Sequence, residues 1–478
     1  MENVVKALRS SAIVKGVEGD LGATSIRLWG QAKLEKNKLT FLVARYAEVD
    51  EQVYSIPVHL RVESEHDGIG LIQFDGLSPG RDYYYQIGYY TITSDKLLSE
   101  YDLVWPSSAS GRFKTDARSD TPWNFCFGSC RLCAKLGPVV LFGGGDAADK
   151  VYEAVLEKNP EFWLEIGDQV YYDYFGPFRR SKTVEQMRDA YRTVRSYPHQ
   201  SFLIANKTTY SMCDDHDLHR NNTDYSKKIA DQEAWNAGMK VFREYQHIKG
   251  PTSLDPLYYS FDRNNCTFFV ADTRSERSKT NIISDEQMGA IESWINDVHH
   301  IGKTRFFVSP TPVVSQASDD SWTGYPLQQR RLIEILLSED VYILTGDAHC
   351  ARTGIYQVFD EDNDLDAEIV EILSSGISSA AHDQGKAYDR STDSEPKDYD
   401  KDNDFPMIID NSGRGGLTFK TNYSTESYPR NPTNLPKHLI KGATDHLFTD
   451  ITITNDSIQI RVINSKKQIL NTLVLEKK

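Results

Sequence analysis

Phe162-Trp163-Leu164-Glu165-Ile166-Gly167-Asp168-Gln169-Val170-Tyr171 decides the reading of this chain. The first five residues suit a buried strand, being a short apolar run closed by a turn signal. Gly167-Asp168 then turns the chain and presents a carboxylate with little side-chain freedom. A carboxylate has two oxygens and can bridge two cations. Tyr171, three residues on, can supply a phenolate, which a hard trivalent ion such as Fe(III) favours. Taken alone, the segment reads equally well as an aspartate turn ahead of a core tyrosine.

Three further segments remove that ambiguity. Phe125-Cys-Phe-Gly-Ser-Cys130, Cys213-Asp-Asp-His216 and Thr345-Gly-Asp-Ala-His349 each follow an apolar, strand-like stretch and carry metal-ligand residue types. Open α/β sheets build their sites at the carboxyl ends of strands. Cys130 can offer a soft, anionic thiolate, although most free cysteines are small buried hydrophobes. Asp214 and Asp215 cannot both be buried without cations or protonation, so they mark a second-ion site. His216 beside them is placed to protonate a leaving group. Asn221 and Asn222 can add carbonyl oxygens or simply shape a loop. Asp347 and His349 lie two positions apart, and a carboxylate and an imidazole suit two different ions. Asp272-Thr-Arg274 ends another strand; Arg274 could take a phosphate oxygen, but an ion pair with Asp272 is its more ordinary role. Cys126, Cys130 and Cys133 also have the spacing of an iron–sulfur motif. Cys126 alternates with Phe125 and Phe127, however, which points it into a core and argues against a cluster.

The rest of the chain is compatible with an enzyme of this kind. At 478 residues it exceeds one typical core, so two or more packed regions are expected. A formal net charge of −15 repels polyanions, and duplex nucleic acid is not an expected partner. A small phosphate ester held by cations is compatible with that charge. No apolar run approaches the roughly 18 residues of a membrane span. Met1 to Val14 carries neither an apolar signal core nor a twin-arginine pair, so an intracellular protein is expected unless a leader has been removed. Six cysteines in this length make no disulfide framework. Residues 1–117 read as all-β, with alternating stretches punctuated by turns at sandwich spacing. Gly76-Leu-Ser-Pro-Gly-Arg-Asp-Tyr83 resembles the tyrosine corner of fibronectin type III domains, in which a buried tyrosine returns its hydroxyl to the backbone upstream. Asp116-Ala-Arg-Ser-Asp-Thr-Pro122 is a polar connector, and from residue 118 to 478 strands and helices alternate. The stretches Ala381 to Pro406 and Asn411 to Lys437 break that rhythm. They read as solvated loops, with a lid over the site as the other reading.

The order Gly-Ser-Cys130, Gly-Asp168-x-x-Tyr171, Asp-Asp215-His216, Asp-x-Arg274, Asp347-x-His349, behind a fibronectin-like domain, resembles the PhoD-type alkaline phosphatases. These are relatives of the purple acid phosphatases among the calcineurin-like metallophosphoesterases. The resemblance covers most of the chain, from about residue 10 onward, and the motif set as a whole is specific. It implies an α+β fold, a four-layer αββα sandwich at 118–478 preceded by a fibronectin type III/Ig-like β-sandwich at 1–117. It implies an Fe(III) and Ca(II) pair, with Cys130, Asp168, Tyr171 and His349 on iron, Asp168 bridging, and Asp215 and Asp347 on the calcium side. His216 would stand behind the ions or act as general acid, and Arg274 would assist at the phosphate. The implied reaction is hydrolysis of phosphomonoesters, and of phosphodiesters in the wider family, by a hydroxide held at the ion pair. Two departures stand out. The motif closes with Asp217 where glutamate is more usual, and the twin-arginine leader of many members is missing. Rival readings are a phosphodiesterase or nucleotide phosphatase of the same superfamily, and a calcium-stabilised binding protein without activity. The monoester-to-diester preference, the physiological substrate and the oligomeric state are not written in these motifs.

Overall fold

The computed structural model describes residues 12–16, 22–51, 53–93, 108–117, 122–132, 134–136, 139–142, 145–173, 182–315, 320–359, 367–378, 409–410, 418–424 and 446–477. The stretch Ala381 to Pro406 and residue Cys133 lie outside them, as does most of Asn411 to Lys437. Two large sheets dominate. In the first, Phe162–Ile166 lies parallel to Trp123–Gly128 on one side and to Thr208–Met212 on the other. In the second, Cys266–Val270, Thr304–Ser309, Val341–Thr345 and Ala367–Ser374 run parallel in that order.

Alternation along the strands explains how the sheets stack. One face of the first sheet presents Phe125, Phe127, Phe162, Leu164, Ile166 and Met212. It packs against Phe268, Val270, Phe306, Val308, Leu344 and Ile372 of the second. The opposite faces are covered by helices. Val151, Ala154 and Val155 of the helix Gly145–Lys158 sit on Cys126 and Trp163. Met288, Ile291 and Ile295 of Asp285–Ile295, with Leu332, Ile333 and Leu336 of Pro326–Leu336, sit on Phe269, Phe307 and Ile343. The result is a helix–sheet–sheet–helix sandwich, and strands buried on both faces account for their near-continuous apolar sequences. Among the described residues no helix is long and apolar enough to cross a membrane.

Among the described residues the N-terminal strands form a seven-stranded sandwich whose two sheets have different fates. Val58–Val62, Leu39–Glu48, Asp82–Ile92 and Ser108–Lys114 make a separate four-stranded sheet. Ala12–Lys15, Ile26–Gln31 and Ile69–Phe74 instead continue the first large sheet, because Ala12–Lys15 pairs in parallel with Thr208–Met212. Leu28, Ile72, Leu42, Tyr85 and Phe113 share the core between them. The tyrosine corner is present: Tyr83 is buried and its hydroxyl accepts the Ser78 N–H at 2.9 Å.

The end of the helix Gln232–Tyr245 docks on this N-terminal sandwich. Trp29 Nε1 donates to Glu244 O at 2.8 Å, Lys15 Nζ to Gln246 O at 2.6 Å, and Arg27 Nη1 to Ile248 O at 3.2 Å. His247 is 1% exposed in this seam. Burial, then the Arg243 and Lys15 charges, hold its imidazole down to about 3. The unfolded chain therefore binds this proton first, and the associated stability is complete above about pH 6.5 and is lost as the pH falls toward 3. Between pH 7 and pH 5 the loss from this one residue is about 2 kcal/mol. His247→Leu is expected to remove that share of acid sensitivity in urea unfolding at the two pH values. An unchanged difference between pH 7 and pH 5 in the variant would refute the assignment.

Candidate metal centre

The parallel strands of both sheets end on the same side of the sandwich, and the turns that follow them build one cluster. Cys130 follows Trp123–Gly128, Asp168 follows Phe162–Ile166, Asp214 and Asp215 follow Thr208–Met212, and Asp347 and His349 follow Val341–Thr345. Two glycines let the turns touch. Gly167 has φ of 73°, and a Cβ there would lie 2.5 Å from Asp214 Cβ; a Cβ on Gly346 would lie 2.7 Å from Ser129 Oγ and 2.9 Å from Ile166 O. Cys130, Asp168, Asp347 and His349 are themselves left-handed, with φ of 62°, 57°, 64° and 54°. Such backbone costs roughly 1–3 kcal/mol at a non-glycine residue and clusters at functional sites.

The sequence-predicted ligands converge. One oxygen from each of Asp168, Asp214, Asp215 and Asp347 lies within 4.8 Å of the others, and Asp168, Asp215 and His216 form a second such group. Asp168 stands at the junction. Its Oδ1 accepts the His216 N–H at 3.2 Å, and its Oδ2 lies 3.1 Å from the Tyr171 hydroxyl and 3.5 Å from Cys130 Sγ. His349 joins through Tyr171, its Nε2 being 3.5 Å from the hydroxyl. Cys130 Sγ also lies 3.6 Å from the Asp347 carbonyl oxygen. Cys130 and His349 are thus tied to the carboxylates through Asp168 and Tyr171 rather than packed among all of them.

Several supporting residues escaped the sequence reading. Ser375 donates its hydroxyl to Cys130 Sγ at 3.0 Å and accepts the His349 N–H at 2.9 Å, so one side chain fixes both. It follows the strand Ala367–Ser374, and a Ser-Gly turn at a strand end is the signal that could have found it. Asp217 accepts the backbone N–H groups of Asp168 at 2.6 Å, Gln169 at 2.9 Å and Asp214 at 3.0 Å. It therefore clamps both ligand turns, a task that the shorter acid performs here. Asp173 takes His216 Nδ1 at 2.7 Å, while its other oxygen accepts the Asn221 N–H at 2.9 Å. Asn222 donates its backbone N–H to Asp215 Oδ2, so the Asn221-Asn222 turn closes on the cluster through main chain.

One expectation is corrected. Arg274 does not pair its guanidinium with Asp272. It is fully buried, its Nε donates to Asp214 Oδ1, and its Nη1 and Nη2 donate to Asp320 at 2.8 and 2.9 Å. Asp272 accepts the Arg274 backbone N–H instead, at 3.0 Å. A guanidinium is planar and matches a carboxylate fork, so the nearby acids outcompete the backbone turn for it. Cys126 packs between the first sheet and the helix Gly145–Lys158, in the core as its alternation with phenylalanine implied.

The electrostatics call for cations. Burial, then Asp215, Cys130 and Asp214, push the Asp168 carboxyl far above the usual carboxylate range; burial and the aspartates Asp214 and Asp215 do the same to Asp347. Burial and Asp347 push the Cys130 thiol up to about 12. Burial opposes charge on His216, yet Asp215 and Asp173 hold it up to about 9. Ion pairs that offset this negative charge come from Arg274 and Arg277, both anchored on Asp320. Carboxylates buried together are stable when cations neutralise them. A thiol, a phenol and an imidazole lie beside the carboxylates, and all of these are donor types that metal ions take.

No family model matches this sequence, and no curated protein does. The chain does share its fold with a solved structure of PhoD: TM-score 0.65, 15% identity, 98% of this chain and 88% of that one. A Streptococcus pneumoniae protein described as a predicted phosphoesterase is aligned over 75% of this chain and all of its own, at 6% identity. Its TM-score of 0.26 carries no argument. The fold is PhoD-like.

Proposed function

We propose that this chain, which has the PhoD fold, is a metal-dependent phosphatase acting on phosphate esters, monoesters first, in the manner of the alkaline phosphatases of that type. The observation that carries the reading is the convergence of Asp168, Asp214, Asp215, Asp347 and His216 at the mouth of the parallel strands. Cys130, Asp168, Tyr171 and His349 would hold iron, and Asp168, Asp215 and Asp347 would hold calcium. When bound, such a pair supplies Lewis acidity, lowering the pKa of water and neutralising charge on the phosphoryl oxygens.

The remaining work falls to side chains. Asp168 would bridge the two sets, since its Oδ2 lies beside Tyr171 and Cys130 and one of its oxygens lies within 4.8 Å of those of Asp214, Asp215 and Asp347. His216 hands its proton to the departing oxygen of the ester, and Asp173 holds the ring in place through Nδ1. Tyr171 packs against that ring, tilted by 32° with 4.1 Å between centroids, which limits its swing. Arg274 and Arg277 stay behind the carboxylates and temper their repulsion.

Turnover of 4-nitrophenyl phosphate and bis(4-nitrophenyl) phosphate, before and after chelation and with iron and calcium restored, tests the reading. The monoester is expected to be the better substrate and chelation to stop the reaction. No hydrolysis of either ester by metal-replete protein would refute the assignment. The role of His216 has its own test. His216→Asn is expected to slow hydrolysis of alkyl phosphates by about 10²- to 10⁴-fold, because an alkoxide leaves poorly without a proton. 4-Nitrophenolate leaves unaided, so that ester is expected to be far less affected. Equal losses on both would show that His216 is structural.

A further inference from the structure

Asp214 is left over once the ligands are allotted, and its surroundings are unusual for a mere counterion. The side chain is 1% exposed. Arg274 gives its two-pronged end to Asp320 and only its Nε to Asp214, on Oδ1. A counterion held for charge alone usually takes the bidentate fork. Asp214 Oδ2 has no hydrogen-bond partner among the described residues, although buried polar atoms are nearly always paired. The group in which Asp214 converges with Asp168, Asp215 and Asp347 is made of carboxylate oxygens alone. The turn that carries Asp168 is pressed against Asp214 at Gly167, so the two carboxylates are brought together by the fold.

We propose that Asp214 is a further cation ligand of this centre, its Oδ2 completing an all-oxygen site with Asp168, Asp215 and Asp347 for a hard divalent cation of the calcium class, with Arg274 as the positioning residue that fixes the carboxylate. The inference rests on the metal-centre reading above and adds a fourth carboxylate to it. All-oxygen donors at high coordination number are what calcium takes, and each added carboxylate raises affinity. Arg274, tied to Asp320, holds Oδ1 and so leaves one oxygen of Asp214 to the cation.

The test is calcium binding to the full-length protein after EGTA treatment, followed by calorimetry and by terbium luminescence, with far-UV circular dichroism to verify folding. Asp214→Asn is expected to weaken calcium by about 10- to 100-fold, the scale on which metal sites lose affinity when a supporting group is removed, and to leave iron content unchanged. Asp320→Asn loosens the arginine that positions Asp214 but keeps all four ligand oxygens, and is expected to weaken calcium by clearly less than Asp214→Asn. Wild-type affinity in Asp214→Asn would overturn the inference and leave the metal-centre reading standing. A loss in Asp320→Asn equal to that in Asp214→Asn would also overturn it, since the effect would then come from the arginine cluster. Wild-type protein that binds no calcium would overturn the centre and this inference together.

Discussion

Asp168→Asn is expected to lose metal and turnover together, with a fall in ester hydrolysis of at least about 10³-fold, roughly 4 kcal/mol of transition-state stabilisation. The amide has the shape of the carboxylate and keeps the backbone N–H that Asp217 receives at 2.6 Å, so the turn itself is retained. It removes the one group that lies 3.1 Å from Tyr171 on one side and 3.2 Å from the His216 N–H on the other. A neutral amide presents one oxygen and cannot serve two cations. The sign of the stability change is a second readout. In chelated protein the variant is expected to melt at or above the wild-type temperature, because one of several repelling buried carboxylates has been neutralised. With metal restored the order is expected to reverse, since only the wild type gains binding free energy. Full turnover with intact metal content in the variant would refute the bridging role.

Tyr171→Phe is expected to bleach the protein. A phenolate on ferric iron absorbs visible light by charge transfer, so the iron-loaded wild type should be purple to yellow-brown. Burial, then Asp168 and Cys130, push the Tyr171 hydroxyl well above its ordinary range, so a phenolate forms here only against a cation. The ring itself is 3% exposed and packs at a tilt against His216, and phenylalanine preserves that packing. Asp347→Asn, which changes none of the residues assigned to iron, should leave the band in place. A colourless, fully active wild-type protein would remove iron from the assignment, and an unchanged band in Tyr171→Phe would move the chromophore elsewhere.

The turns that meet in the candidate site were legible because each sits at the end of its own apolar run. A buried parallel strand needs a continuous apolar stretch, and the turn after it is where polar side chains can emerge; both features are local and can be read in order. Cys130, Asp168, Asp215 and Asp347 were found that way. Arg274 was misjudged because the nearest acid in sequence, Asp272, is not the nearest in space. Asp214 and Asp320 come from 60 and 46 positions away. Asp173 was passed over, and Asp217 noted only as a departure from the motif, for the complementary reason that their value lies in which atoms they hold.

The N-terminal region shows the same division. Alternating strands and the Tyr83 corner announce a β-sandwich, since side-chain period and turn chemistry are properties of short segments. That Ala12–Lys15 would pair with Thr208–Met212 and extend the first large sheet is written in no segment, because strand pairing depends on which edge is available when the sheets assemble. Local sequence specifies the strands, their turns and the ligand types carried at their ends. The meeting of those ends, with Gly167 against Asp214 and Ser375 between Cys130 and His349, arises from two sheets packed through a phenylalanine-rich core, and contacts across such distances exist only once that core has formed.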